Sequence, residues 1–133
     1  MILRIAIVVV VGVALFGVVT LVALEGREVV VLRTLDERGQ VRETRTWIAD
    51  DGGHSWVEAA NPERPFYQQI LRQPEIEVVR GGEVQRVHAA PLPPEQGHAL
   101  IRNLLAEKYG WADCWIGLIA DTSRSTAVRL DPR

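Results

Sequence analysis

Residues Glu75–Ala90 read EIEVVRGGEVQRVHAA, two β-rich runs on either side of Gly81-Gly82. The tight turn that matches the twist of paired strands needs positive φ at its central positions, which glycine adopts without steric cost, so this stretch specifies a β-hairpin. Upstream, Asp50–Gly53 (DDGG) is a second hairpin signal, set between Glu43–Ala49 (ETRTWIA) and His54–Ala60 (HSWVEAA). Glu28–Thr34 (EVVVLRT) supplies a further strand, and the polar residues of Leu35–Val41 form the turn after it. Asn61–Pro65 breaks the sheet; Pro65 opens a short helix that ends near Gln73, before Pro74.

Downstream of the hairpin, Pro91, Pro93 and Pro94 punctuate the chain. Glu95–Tyr109 then carries Ala99, Leu100, Leu104 and Leu105 at helical spacing, and Gly110 ends it. Trp111–Ala120 (WADCWIGLIA) reads as a second short helix or an irregular apolar segment, and Thr126–Leu130 (TAVRL) as a last strand. Six short strands with two or three helices predict an α+β domain. Hairpin linkage favours a small β-barrel over an open sheet.

The hydrophobic residues, 47% of 133, are unevenly spread. Ile5–Leu24 (IAIVVVVGVALFGVVTLVAL) holds no charge, and every charged residue except Arg4 lies beyond it. At about 1.5 Å per residue this run is roughly 30 Å long, the thickness of a bilayer's hydrocarbon core. It is longer than the apolar region of a signal peptide, and no small-x-small pair precedes Glu25. The expected organisation is a transmembrane anchor over residues 1–24 followed by a soluble domain over 25–133. A cleaved signal and a buried core helix are the competing readings. Basic residues flank the run almost evenly, with a lean towards the amino terminus inside.

Composition excludes several functions. With 15 basic and 17 acidic residues, net −2, the chain lacks the positive field of a nucleic-acid binder. A single cysteine, Cys114, excludes an internal disulfide and a cysteine-rich zinc site, and it reads as buried and inert. His54, His88 and His98 have no ligand-type spacing, so no metal site is expected. Asp121–Ser125 holds hydroxyls but no companion histidine, and no hydrolytic acid–base pair stands out.

Phe66–Ile76, FYQQILRQPEI, resembles the aromatic-Tyr-His-Asn-Leu-x-x-Asn-Pro-x-Val segment of the deazaflavin-dependent nitroreductase family. Thr34–Trp47 is similar to that family's Thr-x-Gly-Arg-x-Ser-Gly-x-x-Arg-x-x-Pro-x-Trp segment, with Gly39, Arg42, Thr44 and Trp47 in matching places. The resemblance runs over about Val29–Tyr109. It implies a six-stranded split β-barrel of the flavin and deazaflavin reductase group, often a homodimer, with a groove for deazaflavin (coenzyme F-420) or FMN. It also implies hydride transfer to a quinone, a nitro compound or another lipophilic acceptor.

The anion-binding loop departs from the family pattern. Where the family has Gly-Arg-x-Ser, this chain has Leu35, Asp36, Glu37 and Arg38, and two carboxylates there repel a phosphate tail. The glycine-bearing loop further on becomes Asn61-Pro62-Glu63-Arg64-Pro65. The departure opens a second reading: a non-catalytic split barrel that binds an apolar ligand, lipid or haem, or a protein partner.

Arg42, Asn61, Arg64 and Tyr67 are the candidate cofactor-binding residues under the resemblance; no catalytic residue is assigned. Three of them have a plainer alternative. Arg42 can pair with Glu43 or Glu37, Arg64 can be an ordinary loop arginine, and Tyr67 can be a core aromatic. Tyr109, Trp111 and Trp115 can form a wall for a ring system, pack in the core, or lie at the membrane interface.

Overall fold

The computed structural model describes every residue from Met1 to Arg133. Its elements are α1 (Ile2–Glu25), β1 (Val30–Leu35), β2 (Val41–Thr46), β3 (Ile48–Asp51), β4 (His54–Ala59), α2 (Pro65–Arg72), β5 (Glu75–Arg80), β6 (Glu83–Pro91), α3 (Pro94–Tyr109), α4 (Trp111–Ile119) and β7 (Thr126–Pro132). All strand pairings are antiparallel, in the order β2-β1-β5-β6-β7-β4-β3.

That order explains how the sheet closes. Only Trp47 separates β2 from β3, yet the two stand at opposite ends of the order. β2 pairs with β1 up to Thr46 opposite Val30, and β3 pairs with β4 from Ile48 opposite Val57. One bent strand therefore serves two neighbours, and the result is a closed six-stranded barrel. The sequence predicts Glu43–Ala49 as one continuous strand; the bend at Trp47 is what lets it change partners. Each half of the bent strand pairs on one side, β2 with β1 and β3 with β4.

The strands follow local rules. Along β1, Val30, Leu32 and Thr34 are buried while Val31, Arg33 and Leu35 are partly exposed, the two-residue period of a strand with one face on a core. The hairpin glycines take positive φ, +57° and +80° at Gly81 and Gly82. The barrel interior is filled by side chains such as Leu32, Ile48, Val57, Val78, Val87 and Leu130. α2 closes one end with Phe66 and Ile70, and the buried Thr34 hydroxyl donates to Gln69 Oε1 at 2.5 Å.

A second core lies outside the barrel. Ile101, Leu105 and Tyr109 of α3 and Ala112 of α4 pack on Ala49, Trp56 and Ala127. α3 sits so close to β7 that a Cβ on Gly97 would lie 2.8 Å from the Ala127 nitrogen, which is why that position has no side chain.

α1 is long and apolar enough to cross a membrane, and none of its apolar window is buried in the protein. It touches the rest of the chain near its C-terminal end. There Phe16 meets Trp115 (ring centroids 5.5 Å apart), Trp115 Nε1 donates to Thr20 Oγ1 at 3.0 Å, and Ala23 is fully buried. Trp111–Ala120 resolves as a helix to Ile119. Cys114 is exposed, not buried, because it falls on the face of α4 turned away from the barrel.

Candidate functional site

The site is built around the strand bend. Ile48, the first residue of β3 and opposite Val57 of β4, turns its N–H and carbonyl towards α3. Its N–H donates to the Tyr109 hydroxyl at 3.1 Å, and that hydroxyl donates to the Glu28 carbonyl at 2.6 Å. Lys108 Nζ donates to the Ile48 carbonyl at 2.6 Å and to Glu28 Oε1 at 2.5 Å. The Ile48 N–H and carbonyl and the Glu28 carbonyl thus all have partners, as burial requires. Tyr109 is fully buried, and burial pushes its phenol pKa above the ordinary value.

The bend also places Trp47. Its ring stacks on Tyr109, with centroids 4.2 Å apart and planes 9° from parallel, and its Nε1 donates to the Leu24 carbonyl at 3.0 Å. A rigid aromatic pair is therefore fixed beside the end of α1.

Beside this pair lies a cleft of about 440 Å³. Leu24, Val29, Trp47, Phe66, Leu105 and Ile116 supply its apolar lining. Thr44 and Thr46 of β2 line it too, with Glu58 of β4, Arg64, Arg102 of α3 and Asp113 of α4. The volume is in the range of small-molecule sites, roughly 300–1,000 Å³.

An ion triad forms part of the lining. One nitrogen of Arg102 donates to both Glu58 oxygens at 3.1 and 2.9 Å, and the other donates to Asp113 Oδ1 at 2.6 Å. The three side chains are only 19%, 14% and 8% exposed. Burial disfavours the arginine's charge, but the carboxylates outweigh it, so the Arg102 pKa lies above its ordinary value. Arg45, also lining the cleft, is held by Glu25 through both of that residue's oxygens. Arg64 is exposed at the cleft and makes no ion pair within the chain.

The four residues expected to bind a cofactor do not converge. Arg42 lies at the β1–β2 turn with Nε 2.8 Å from Asp36 Oδ2, instead of pairing with Glu43 or Glu37, which bind Arg33 and Arg72. Asn61 shapes the turn before α2: its Oδ1 accepts the Glu63 N–H at 3.1 Å. Tyr67 packs against the barrel core, and its neighbour Phe66 lines the cleft. Of the four, Arg64 alone lines it.

The Thr34–Arg42 turn holds an anion of its own. Asp36 Oδ1 accepts the N–H groups of Arg38 and Gln40, each at 2.9 Å, and Oδ2 accepts from Arg42. These bonds, the Gln40 amide first, hold the Asp36 carboxyl below its usual range. Asp36 already takes two of the turn's N–H groups and the Arg42 guanidinium and puts a negative charge among them, so this loop does not fit a phosphate tail.

Of the arrangements open to Tyr109, Trp111 and Trp115, a shared aromatic wall does not form. Tyr109 is in the core under Trp47, Trp111 is exposed, and Trp115 faces α1. Glu58, Arg102 and Asp113 escaped the sequence reading. Their one signal is Asp113, a lone acid inside the apolar run WADCWIG, where a buried carboxylate needs a partner.

In sequence, no protein-family model matches this chain and no curated protein matches it. In structure, it is similar to a putative pyridoxamine 5'-phosphate oxidase from Listeria innocua (TM-score 0.58, 15% identity, covering 85% of this chain and 90% of that one). It is also similar to the haem storage protein HutZ from Vibrio cholerae (TM-score 0.60, 12% identity, 84% and 85% covered). A third likeness is to an F-420-H2-dependent reductase (TM-score 0.58, 17% identity, 79% and 95% covered). At these identities the likeness is one of fold: the chain has the split-barrel fold of flavin-binding-type proteins.

Proposed function

We propose that this chain is a membrane-anchored split-barrel reductase of the flavin or deazaflavin type, acting on a quinone, nitro compound or other lipophilic acceptor. The observation that carries the reading is the cleft beside the Trp47–Tyr109 stack, next to the end of an apolar helix long enough to span a bilayer. Its apolar lining fits a planar ring, and the unpaired Arg64 fits an anionic tail, a role the Thr34–Arg42 turn cannot fill. When bound, a flavin or deazaflavin supplies the hydride chemistry.

The residues of the chain do the rest. Trp47, Phe66 and Leu105 exclude water, and the Thr44 and Thr46 hydroxyls offer hydrogen bonds to a ring edge. Arg64 offers a planar donor fork to phosphate or carboxylate. The split-barrel likeness to an F-420-H2-dependent reductase and a putative pyridoxamine 5'-phosphate oxidase supports this reading.

The test is titration of the full chain in nanodiscs with FMN and with oxidised deazaflavin, followed by quenching of tryptophan fluorescence. Saturable binding that weakens about tenfold or more in Arg64→Ala, the loss of one charge-assisted contact, is expected. Absence of saturable binding by both compounds overturns the reading.

The Asp36-filled turn favours a second reading, a split barrel without a phosphate-tailed cofactor whose cleft carries lipid or haem. The fold likeness to a haem storage protein supports it. Mass spectrometry and visible absorbance of the purified protein would show such a ligand directly; a cleft free of both would count against it.

A further inference from the structure

We infer that α4 lies embedded in the membrane interface, with Trp111, Cys114, Leu118 and Ile119 against lipid, so that the cleft it walls opens at headgroup depth. The inference rests on the reading of α1 as a membrane span.

Its first support is position. Trp115 packs on Phe16 and donates to Thr20, which lie nine and five residues before the charged Glu25. At about 1.5 Å per residue those contacts sit roughly 13 Å and 7 Å below the charged end of the helix. Interfacial helices bury their apolar face about 5–10 Å into the headgroup and acyl boundary. α1, at 24 residues, is roughly 36 Å long and exceeds the hydrocarbon core, so its last turns lie at the interface. A span at that depth takes α4 with it.

Its second support is chemistry. Leu118 is 81% exposed, Trp111 51% and Ile119 49%, and Cys114 beside them is exposed as well. No charge lies on this face: the only ionised residue of α4, Asp113, points the other way into Arg102. A tryptophan-bearing apolar face suits the boundary between water and acyl chains, where indole is favoured. The face adjoins the exposed apolar surface of α1, so one continuous lipid environment covers both.

The consequence concerns access. Asp113, Ile116, Gly117 and Ala120 on the opposite side of this segment line the cleft, together with Leu24 at the end of α1. A lipophilic molecule in the outermost few ångströms of the bilayer reaches the cleft along α4 without crossing bulk water.

Cys114 is the sole cysteine, which makes the test direct. A nitroxide on Cys114 of the full chain in phosphatidylcholine nanodiscs is examined by power-saturation EPR with oxygen and with a water-soluble nickel chelate. Two references in a Cys114→Ser background, Val13→Cys in α1 and Ser123→Cys beyond α4, mark the bilayer and the water. The expected result is nickel accessibility at Cys114 several-fold below that at position 123, with oxygen accessibility raised. Leu118→Asp with Ile119→Asp should return the Cys114 label to water while leaving thermal unfolding of the barrel in place. A Cys114 label as accessible as the one at 123, with the label at 13 still in the bilayer, overturns the inference and leaves the anchor standing. Water accessibility at 13 as well overturns both.

Discussion

Trp47 lies flat on Tyr109, ring centroids 4.2 Å apart, at the point where one strand leaves β1 and joins β4. The stack joins three things that are remote in sequence: the closure of the barrel, the end of α1 through the Trp47–Leu24 hydrogen bond, and the lining of the cleft. The hydroxyl of Tyr109 matters as much as its ring, because it satisfies the Ile48 N–H and the Glu28 carbonyl beside the bend.

Tyr109→Phe keeps the stack and deletes that hydroxyl. The Ile48 N–H then loses its partner in a buried setting, and a loss of about 1–3 kcal/mol of stability is expected. Denaturant unfolding of the full chain in detergent measures it; a change near zero would mean that water replaces the hydroxyl at the bend.

Arg102→Met leaves Glu58 and Asp113 near one another without their shared cation. Removing one partner from a largely buried ion network is expected to cost about 3 kcal/mol. Asp113→Asn, which keeps a hydrogen-bond acceptor for Arg102, should cost less. Equal losses in the two variants would show that packing of the arginine stem, not charge, is what the site needs.

Asp50 gives the chain an acid limb. Its hydrogen bonds to Arg80, helped by Ser55, lower its pKa from 3.8 to about 2. Arg80 also lowers the Glu28 pKa, with Lys108 acting second. A carboxylate depressed in the folded state contributes stability that is complete above its unfolded pKa and lost as pH falls towards the folded one. Stability should therefore fall between about pH 4 and pH 2, the range of Asp50. Arg80→Gln should flatten that limb in denaturant midpoints measured against pH; an unchanged limb would assign it to other carboxylates.

Asp36→Ser frees the N–H groups of Arg38 and Gln40 and the Arg42 guanidinium that Asp36 now occupies. The turn does not line the cleft in which FMN is expected to sit, so affinity for FMN should change by less than about twofold. Arg42→Ala should likewise change little, alone or in the Asp36→Ser background. A strong effect of Arg42→Ala by itself would place the anion at the turn after all.

Much of the fold was legible because its determinants are local. Gly81-Gly82 and Gly52-Gly53 set two-residue turns by their own φ preferences, and alternating apolar residues define each strand face. The helical spacing in Glu95–Tyr109 foretold α3. The candidate site was far less legible. Its ion triad joins Glu58, Arg102 and Asp113 from β4, α3 and α4, and no motif spacing connects them. The acidic turn was visible as a departure from a phosphate-binding pattern, but only the coordinates revealed that Asp36 takes up the turn's own donors.

By itself, then, the sequence determined the long apolar helix, the hairpins and the barrel class, since each follows from a few neighbouring residues obeying steric and hydropathic rules. Tertiary structure decided where the cleft lies, which of its lining arginines is left without an acidic partner and which face of α4 is bare. Those outcomes depend on which distant groups meet when a strand bends at Trp47 and the barrel closes, and pairings made through space leave no period in the chain.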